Sequence, residues 1–334
     1  MSYLYINENG ASLSLESGYF VVKKHDEELT KIPKETLESI GIFGNVNLTT
    51  PCVKECLNRR IPVSYFSNSG YYFGKLISTR NQNIFRLRQQ IHMTENKEFC
   101  FEIARKIISA KIQNQVVLLK RYNRTAGIRT DNEIIGMKNS AQKLKISTSI
   151  EQILGYEGTA SRCYFQGLSK IIDPAFAFDG RNRMPPQDPF NAMLSFGYTV
   201  LQNEIYGEIE NRGLTPYAGF MHQDRERHAT LASDLLEEWR APIVDAAVLS
   251  MINHHEIQPQ DFEKDEVNGG IILQKSARRT FLQCLEMKMK AEMNYLSYVS
   301  EKTSFRKAIW LQVGELMRAI EQADYNRYEP VRLR

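Results

Sequence analysis

Near residue 80 the hydrophobic period of this chain changes, and that break constrains its fold more than any other feature. Before it, apolar residues fall in short alternating runs: Tyr3-Leu-Tyr-Ile6, Ser12-Leu-Ser-Leu15 and Tyr19-Phe-Val-Val22. Asn9-Gly10 and Ser17-Gly18 punctuate them, and both are turn dipeptides. Ser39–Phe43, Pro62–Phe66 and Tyr71–Ile77 add strands, the last after an Asn68-Ser-Gly70 turn. Thr50-Pro51 opens a short helix through Leu57, with proline at its favoured first position. From about Asn83 the period is helical: Phe101, Ala104, Ile108, Ile112 and Leu119 recur at spacings of three, four and seven. Ile150–Ile172, Pro189–Ile209, Ala229–Arg240 and Phe281–Leu296 read as further helices, and Glu256–Gly270 as an exposed charged loop. The expected fold is α+β, a small β-rich domain over residues 1–80 followed by a larger all-α domain over 81–334.

Composition excludes several classes of protein. At 334 residues, with 42% apolar and 25% charged residues, the chain can bury a sizeable core over two ordinary domains. No run of ~18 apolar residues exists, so no membrane span is expected. The start, Met-Ser-Tyr-Leu-Tyr-Ile-Asn-Glu, lacks the basic and apolar regions of a secretory signal. Five scattered cysteines without a CxxC pair support neither a disulfide framework nor a zinc finger. A cytoplasmic protein is expected.

Net charge is only +4, but its distribution is uneven. Between Glu102 and Asp131 there is no acidic residue, while Arg105, Lys106, Lys111, Lys120, Arg121, Arg124 and Arg129 fall there. Such a run can follow a phosphate backbone; it can equally be a solvated face paired with acids elsewhere.

Two segments carry chemistry. In Ile150–Ile172 the apolar stripe runs Ile150, Ile153, Leu154, Tyr164, Leu168 and Ile171, and Glu157 falls in its middle. A carboxylate there is neutral, paired or metal-bound, because an isolated buried charge is costly. Ion pairing with Arg162 or Arg105 is the alternative to a metal. Gly155 and Gly158 flank Glu157 and would let another backbone or a phosphate approach. In the second segment, His222 follows a Gly219-Phe220 turn and precedes a helix. Leu231, Ala232, Leu235, Leu236 and Trp239 share one face of that helix, and Asp234, Glu237 and Glu238 lie away from it. Alone, that helix is an ordinary amphipathic one with a solvated acidic face. Joined to Glu157, the histidine and acids form a possible site for a hard cation. Carboxylates and an imidazole without thiolate suit Mg²⁺ or Mn²⁺, which keep positions open for water and phosphate oxygens. Such a cation beside a basic run fits phosphodiester hydrolysis or transfer.

The chain resembles the Cas-one family, the integrase and endonuclease of CRISPR spacer acquisition. The resemblance rests on Lys111-Ile-Gln-Asn114-Gln115, on Gly155-Tyr-Glu157-Gly-Thr-Ala160, and on Arg181-Asn-Arg183-Met-Pro-Pro-Gln-Asp-Pro-Phe-Asn191 with the residues through Tyr198. Gly219-Phe-Met-His222 and Asp234-Leu-Leu-Glu237-Glu-Trp-Arg240 through Asp245 complete it. It implies catalytic and metal positions at Glu157, His222 and Glu237, with Asp234 as an accessory acid. It also implies a homodimer formed through the β-domain, a ferredoxin-like Cas-two partner and double-stranded DNA substrates, a prespacer and the CRISPR leader-repeat. In that reading a 3′-OH of the captured DNA attacks the leader-repeat junction; water in its place gives cleavage. A catalytically silent DNA-binding scaffold and a general metal-dependent nuclease are the competing readings. Candidate DNA contacts are Lys111, Lys120, Arg121, Arg181, Arg183, Arg240 and Arg278. Arg240 can instead pair with Glu237 or Asp245, and core packing is the default for Tyr164 and Tyr198.

Overall fold

The structure, a computed structural model, describes residues 2–68, 70–78, 83–126, 130–266, 268–294, 296 and 298–333. Two compact units divide it: Met1–Asn81 with Leu273–Leu282, and Gln82–Ile272 with Gln283–Arg334. Leu273–Leu282 thus groups with the β-rich unit, although it falls within the helical stretch of the sequence. No helix among the described residues is long and apolar enough to cross a membrane.

The first unit holds two four-stranded sheets. Strands β1 (Ser2–Ile6), β5 (Leu37–Phe43), β7 (Val63–Phe66) and β8 (Tyr72–Leu76) form one, parallel except for the β7–β8 pair. The other has the order β4 (Glu27–Pro33), β3 (Tyr19–Lys24), β2 (Ala11–Glu16), β6 (Val46–Leu48). Ser17 and Gly18, at φ 47° and 84°, close the β2–β3 hairpin as a two-residue turn whose twist matches the strands. His25 and Asp26 do the same for β3–β4 at φ 49° and 67°. Helix α1 (Thr50–Arg59) is capped by the Thr49 side chain, which accepts from the Cys52 N–H. Its Cys52 and Cys56 join Leu13, Phe20, Ile40, Ile42 and Val63 in the core.

The second unit is helical. Helices α2 (Ile84–Glu95) and α3 (Lys97–Ala126) are followed by α4 (Asp131–Leu144), α5 (Ile150–Ile171) and α6 (Pro189–Asn211). Then come α7 (Thr230–Trp239), a π-helical turn at Arg240–Asp245, α8 (Ala246–Asn253) and α10 (Phe305–Gln322), while α9 (Lys275–Lys290) belongs to the first unit through Leu282 and to the second from Gln283. The 30-residue α3 is the hub, packing on α4, α5, α7 and the π turn. Asp188 caps α6 by accepting from Asn191 N–H at 2.7 Å, with Pro189 at the first helical position. Pro242 lies inside the π turn; it lacks the N–H that would continue the α-helical ladder, which is why the helix widens there.

Three expectations change. Every residue of α7 is buried, acids included, so its acidic face is not solvated. The last long-range assignment, Phe281–Leu296, shifts to Lys275–Lys290, because Ala277 already belongs to the buried stripe with Phe281, Leu285 and Met289. The Glu256–Gly270 segment is partly regular, with a 3₁₀ turn at Pro259–Asp261 leading into β9 (Phe262–Lys264), followed by β10 (Ile271–Leu273).

Candidate metal and phosphate site

Glu157 on α5 and Glu237 on α7 meet at the ammonium of Lys111, which α3 carries between them. Lys111 Nζ donates to Glu157 Oε1 and lies 2.6 Å from Glu237 Oε2. The second contact is an ion pair between two buried side chains. Ser161, one turn along α5, donates to Glu157 Oε1 at 2.7 Å. Burial alone would raise Glu237, but Arg240 and Lys111 outweigh it and hold that carboxyl down at about 2. Glu157 follows the same pattern: burial and the neighbouring Glu237 push it up, and Lys111 holds it below its ordinary value. Both acids are therefore ionised at neutral pH, two negative charges around one positive centre.

His222 enters from the loop before α7. Its Nδ1 lies 2.7 Å from Asp234 Oδ1, and that hydrogen bond raises the imidazole pKa against the opposing effect of burial. Asp234 is fully buried and its oxygens are engaged: Oδ2 accepts from Phe220 and Met221 N–H at 2.8 and 3.0 Å, and Oδ1 also accepts from His222 N–H at 3.2 Å. One carboxylate thus folds the loop onto α7 and orients the ring that the loop carries. Asp234, expected as an accessory acid of the metal site, directs its four contacts to the loop N–H groups and the His222 ring and so positions His222. In the neutral ring, Nδ1–H donated to Asp234 leaves Nε2 as the free acceptor, the tautomer that a metal-binding histidine requires. Gly219 makes the approach possible, since a Cβ there would lie 2.5 Å from Thr230 Cγ2 and 2.7 Å from Asp234 Oδ2. Gly219→Ala should therefore push the loop off α7 and weaken Mn²⁺ binding about tenfold or more, with a melting temperature lowered by only a few degrees. Unchanged metal affinity in a calorimetric titration would argue against this role for the loop.

Arg240 completes the first ring of contacts. Its Nη2 lies 3.1 Å from Glu237 Oε1, and its guanidinium stacks on Tyr198 at 4.6 Å from the ring centroid. Tyr198 and Tyr164 both donate to Asp245, at 2.5 and 2.8 Å, pinning the end of the π turn on which Arg240 begins. These tyrosines are core residues with polar tips.

A cavity of about 410 Å³ opens beside this centre, lined by Lys111, Glu157, Arg162, Arg181, Arg183 and Arg240 among others. Gly155 and Gly158 have no atom near where a Cβ would sit, so no second backbone approaches there, and Gly158 faces the cavity. Four buried polar atoms on its lining residues or donor set lack a hydrogen-bond partner: Gln115 Oε1, Arg181 Nε, Glu237 Oε2 and Arg240 Nε. Orphaned polar atoms of both signs mark a place for a polar ligand. Among the described residues no three His, Cys, Asp or Glu side chains already converge at metal-holding distance; the two carboxylates meet instead on the Lys111 ammonium. Two ionised carboxylates and an oriented imidazole are the donor types that fit a hard divalent ion.

The expected DNA contacts divide. Lys111 is buried between the acids and reaches only the wall of the cavity, not the outer surface. Lys106 donates to the Tyr325 and Tyr328 carbonyls and Arg105 pairs with Glu102, whereas Lys120 and Arg121 are exposed. The Arg124 side chain and Arg129 lie outside the described residues. Arg181 holds its loop to α6 through Asn191 Oδ1 at 2.8 Å and Ser195 Oγ at 2.9 Å while lining the cavity with Arg183. Arg278 is buried, in the first unit, and does not present its guanidinium to solvent. Glu157 pairs with Lys111 rather than Arg162 or Arg105. Ser161 was not singled out in sequence; Gln115 entered only through the Lys111–Gln115 motif, and Arg162 only as an ion-pair alternative for Glu157, whereas both line the cavity.

An oriented imidazole with paired carboxylates beside an arginine-lined cavity has the donor chemistry that a hard cation and a phosphate require. The sequence profile of the family described as CRISPR associated protein Cas1 matches residues 4–287. A relative from Mycobacterium tuberculosis, named CRISPR-associated endonuclease Cas1, is 35% identical over 327 residues, 98% of this chain and 96% of its own. A solved casposase bound to integration product superposes with a TM-score of 0.85 at 25% identity, over 98% of this chain and 94% of the other. A chain of a Cas6-RT-Cas1–Cas2 complex gives 0.83 at 26% identity; 98% of this chain is covered, but only 36% of that one. The chain belongs to the Cas1 family.

Proposed function

We propose that this protein is a metal-dependent DNA endonuclease and integrase that joins DNA ends into a CRISPR array by phosphodiester transfer. The observation that carries it is the convergence of Glu157 and Glu237 on one buried cation beside His222. Glu157, Glu237 and the Nε2 of His222 would hold Mg²⁺ or Mn²⁺, and Asp234 would fix the ring. When bound, such an ion polarises the phosphodiester and activates the attacking oxygen. Arg162, Arg181 and Arg183 supply guanidinium groups to the phosphates flanking the reacting one. Arg240, held by Tyr198, keeps Glu237 ionised. With a DNA 3′-OH as nucleophile, the new P–O bond replaces the one broken and a target 3′-OH leaves, so no ATP is needed; with water, the strand is cut.

Family membership, the casposase captured on its integration product and the Cas1–Cas2 assembly support double-stranded prespacer and leader-repeat DNA as substrates and a Cas-two protein as partner. A homodimer formed through the β-rich unit belongs to the same reading. Its direct test is joining of a 3′-OH oligonucleotide into a leader-repeat plasmid with Mn²⁺, for wild type and Glu157→Ala. Equal joining by the variant would remove the assigned chemistry and leave a scaffold; partner-independent cutting without repeat preference would leave a general nuclease.

The Asp234–His222 pair sets a pH dependence. Asp234 raises the imidazole pKa, and metal binding needs the neutral ring, so wild-type activity should fall as pH drops through that raised value. Asp234→Asn removes the raising charge and should move this acid limb to lower pH while weakening metal binding about 10–100-fold. A limb that stays in place in the Mn²⁺-dependent pH–rate profile of the variant would show that His222 does not govern it.

A further inference from the structure

Asn114 belongs to the Lys111–Gln115 motif of α3 but has no part in the site above. It is fully buried on a face of α3 shared with Ile107, Ala110 and Leu118, so its amide lies in apolar company. Its Nδ2 donates to the carbonyls of Glu238 and Val331, both at 3.0 Å, and its Oδ1 accepts from the Leu333 N–H at 2.7 Å. The first of these bonds has a cause in the sequence. In an α-helix the Glu238 carbonyl would accept from the N–H four residues on, and that residue is Pro242, which has none. Asn114 supplies a donor where Pro242 cannot, between Glu237 and the Arg240 that pairs with it. The C-terminal segment is fastened to the same two helices. Lys106, about two turns before Asn114 on α3, donates to the Tyr325 and Tyr328 carbonyls at 2.7 and 2.9 Å. Val331 N–H donates to Glu238 Oε2 at 2.7 Å, and Tyr328 and Val331 are fully buried. Lys111 lies one turn before Asn114, and Glu237 immediately precedes Glu238. The clamp therefore joins α3 to α7 at the level where Lys111 Nζ and Glu237 Oε2 meet at 2.6 Å.

We propose that Asn114, with the 331–333 segment it seats, is a positioning residue of the metal centre. It fixes the spacing of α3 and α7 and the turn that aims Glu237, and touches neither metal nor DNA. This role rests on the metal-dependent reading above. Outer partners that hold a ligand's backbone and orientation typically change metal affinity about 10–100-fold when removed.

The test compares full-length wild type, Asn114→Ala, Leu333→Pro and the double variant, at a temperature where melting curves show them folded. Leu333→Pro removes the N–H that Asn114 Oδ1 accepts, and it carries the test should Asn114→Ala not fold. Three quantities are read: Mn²⁺ affinity by calorimetry, affinity for a labelled duplex without metal, and the single-turnover rate of 3′-OH joining. Asn114→Ala should weaken Mn²⁺ binding about tenfold or more and slow joining at least as much, with duplex affinity unchanged. Leu333→Pro should show the same pattern at about threefold, and should add nothing to Asn114→Ala, because both act through one contact. Mn²⁺ affinity and joining rate equal to wild type in a folded variant overturn the proposal. Losses that multiply in the double variant overturn it too, since they mean independent damage to the fold. Wild type that neither binds Mn²⁺ nor joins DNA overturns the catalytic reading and the clamp together; wild type that does both, with variants like it, overturns the clamp alone.

Discussion

Glu157→Gln is expected to reduce both DNA joining and DNA cutting by about three orders of magnitude while leaving the fold intact. The substitution preserves shape and the hydrogen bond from Ser161, and removes one of two negative charges at the centre. Several kcal/mol of electrostatic stabilisation then disappears from the reacting phosphate, and each ~1.4 kcal/mol is tenfold in rate. The fold should tolerate the change because the ammonium of Lys111 retains Glu237 as partner, 2.6 Å away. Glu237→Gln should lose as much activity and more stability, since Glu237 is the acid that answers both Lys111 and Arg240. The measurement is the single-turnover rate of 3′-OH joining with Mn²⁺ for both variants, with melting curves as the control. A Glu157→Gln rate within tenfold of wild type would show that this carboxylate is not at the reacting phosphate.

Periodicity located the strand-to-helix break and most of the long helices, because alternation and 3.6-residue spacing are local properties. Strand β4 escaped it. Its sequence, Glu-Glu-Leu-Thr-Lys-Ile-Pro, is nearly all exposed and does not alternate, and its turn uses His25 and Asp26 at positive φ where a glycine would have signalled the hairpin. Glu157 was legible because a carboxylate in an apolar stripe contradicts its own helix. Helix α7 was not, because a helical wheel contains only the helix's own residues. Each of its acids is answered from outside the helix: Asp234 by the loop N–H groups of 220–222, Glu237 by Lys111 as well as by Arg240 just beyond the helix end, and Glu238 by Gln312, Tyr328 and the backbone of Val331. A buried charge whose partners lie that far away in sequence looks the same as a solvated one until the chain is folded.

Glu238 shows what such burial does to stability. It is fully buried beside Glu237, facing the other way, and accepts from Tyr328 OH at 2.5 Å, Gln312 Nε2 at 2.5 Å and Val331 N–H at 2.7 Å. Burial outweighs these hydrogen bonds and raises its pKa from 4.5 to about 8; in the protonated form the carboxyl O–H donates to the Tyr328 oxygen in place of accepting from it. The folded pKa lies above the unfolded one. This group's contribution to stability is therefore fully present below about 4.5 and is lost as pH rises to about 8, at up to about 1.4 kcal/mol per pH unit. Glu238→Gln mimics the protonated form, with its carbonyl for Gln312 and Val331 and its amide for the Tyr328 oxygen. It should be near wild type at pH 5 and more stable than wild type by several kcal/mol at pH 8–9. Glu238→Ala instead strands Tyr328, Gln312 and the Val331 N–H in a dry interior and should cost about 3 kcal/mol or more at every pH. Urea unfolding of the three proteins from pH 5 to 9, followed by helical circular dichroism, checks both signs. Parallel pH profiles for wild type and Glu238→Gln would mean that Glu238 is ionised in the native state, with the Tyr328, Gln312 and Val331 hydrogen bonds strong enough to offset its burial.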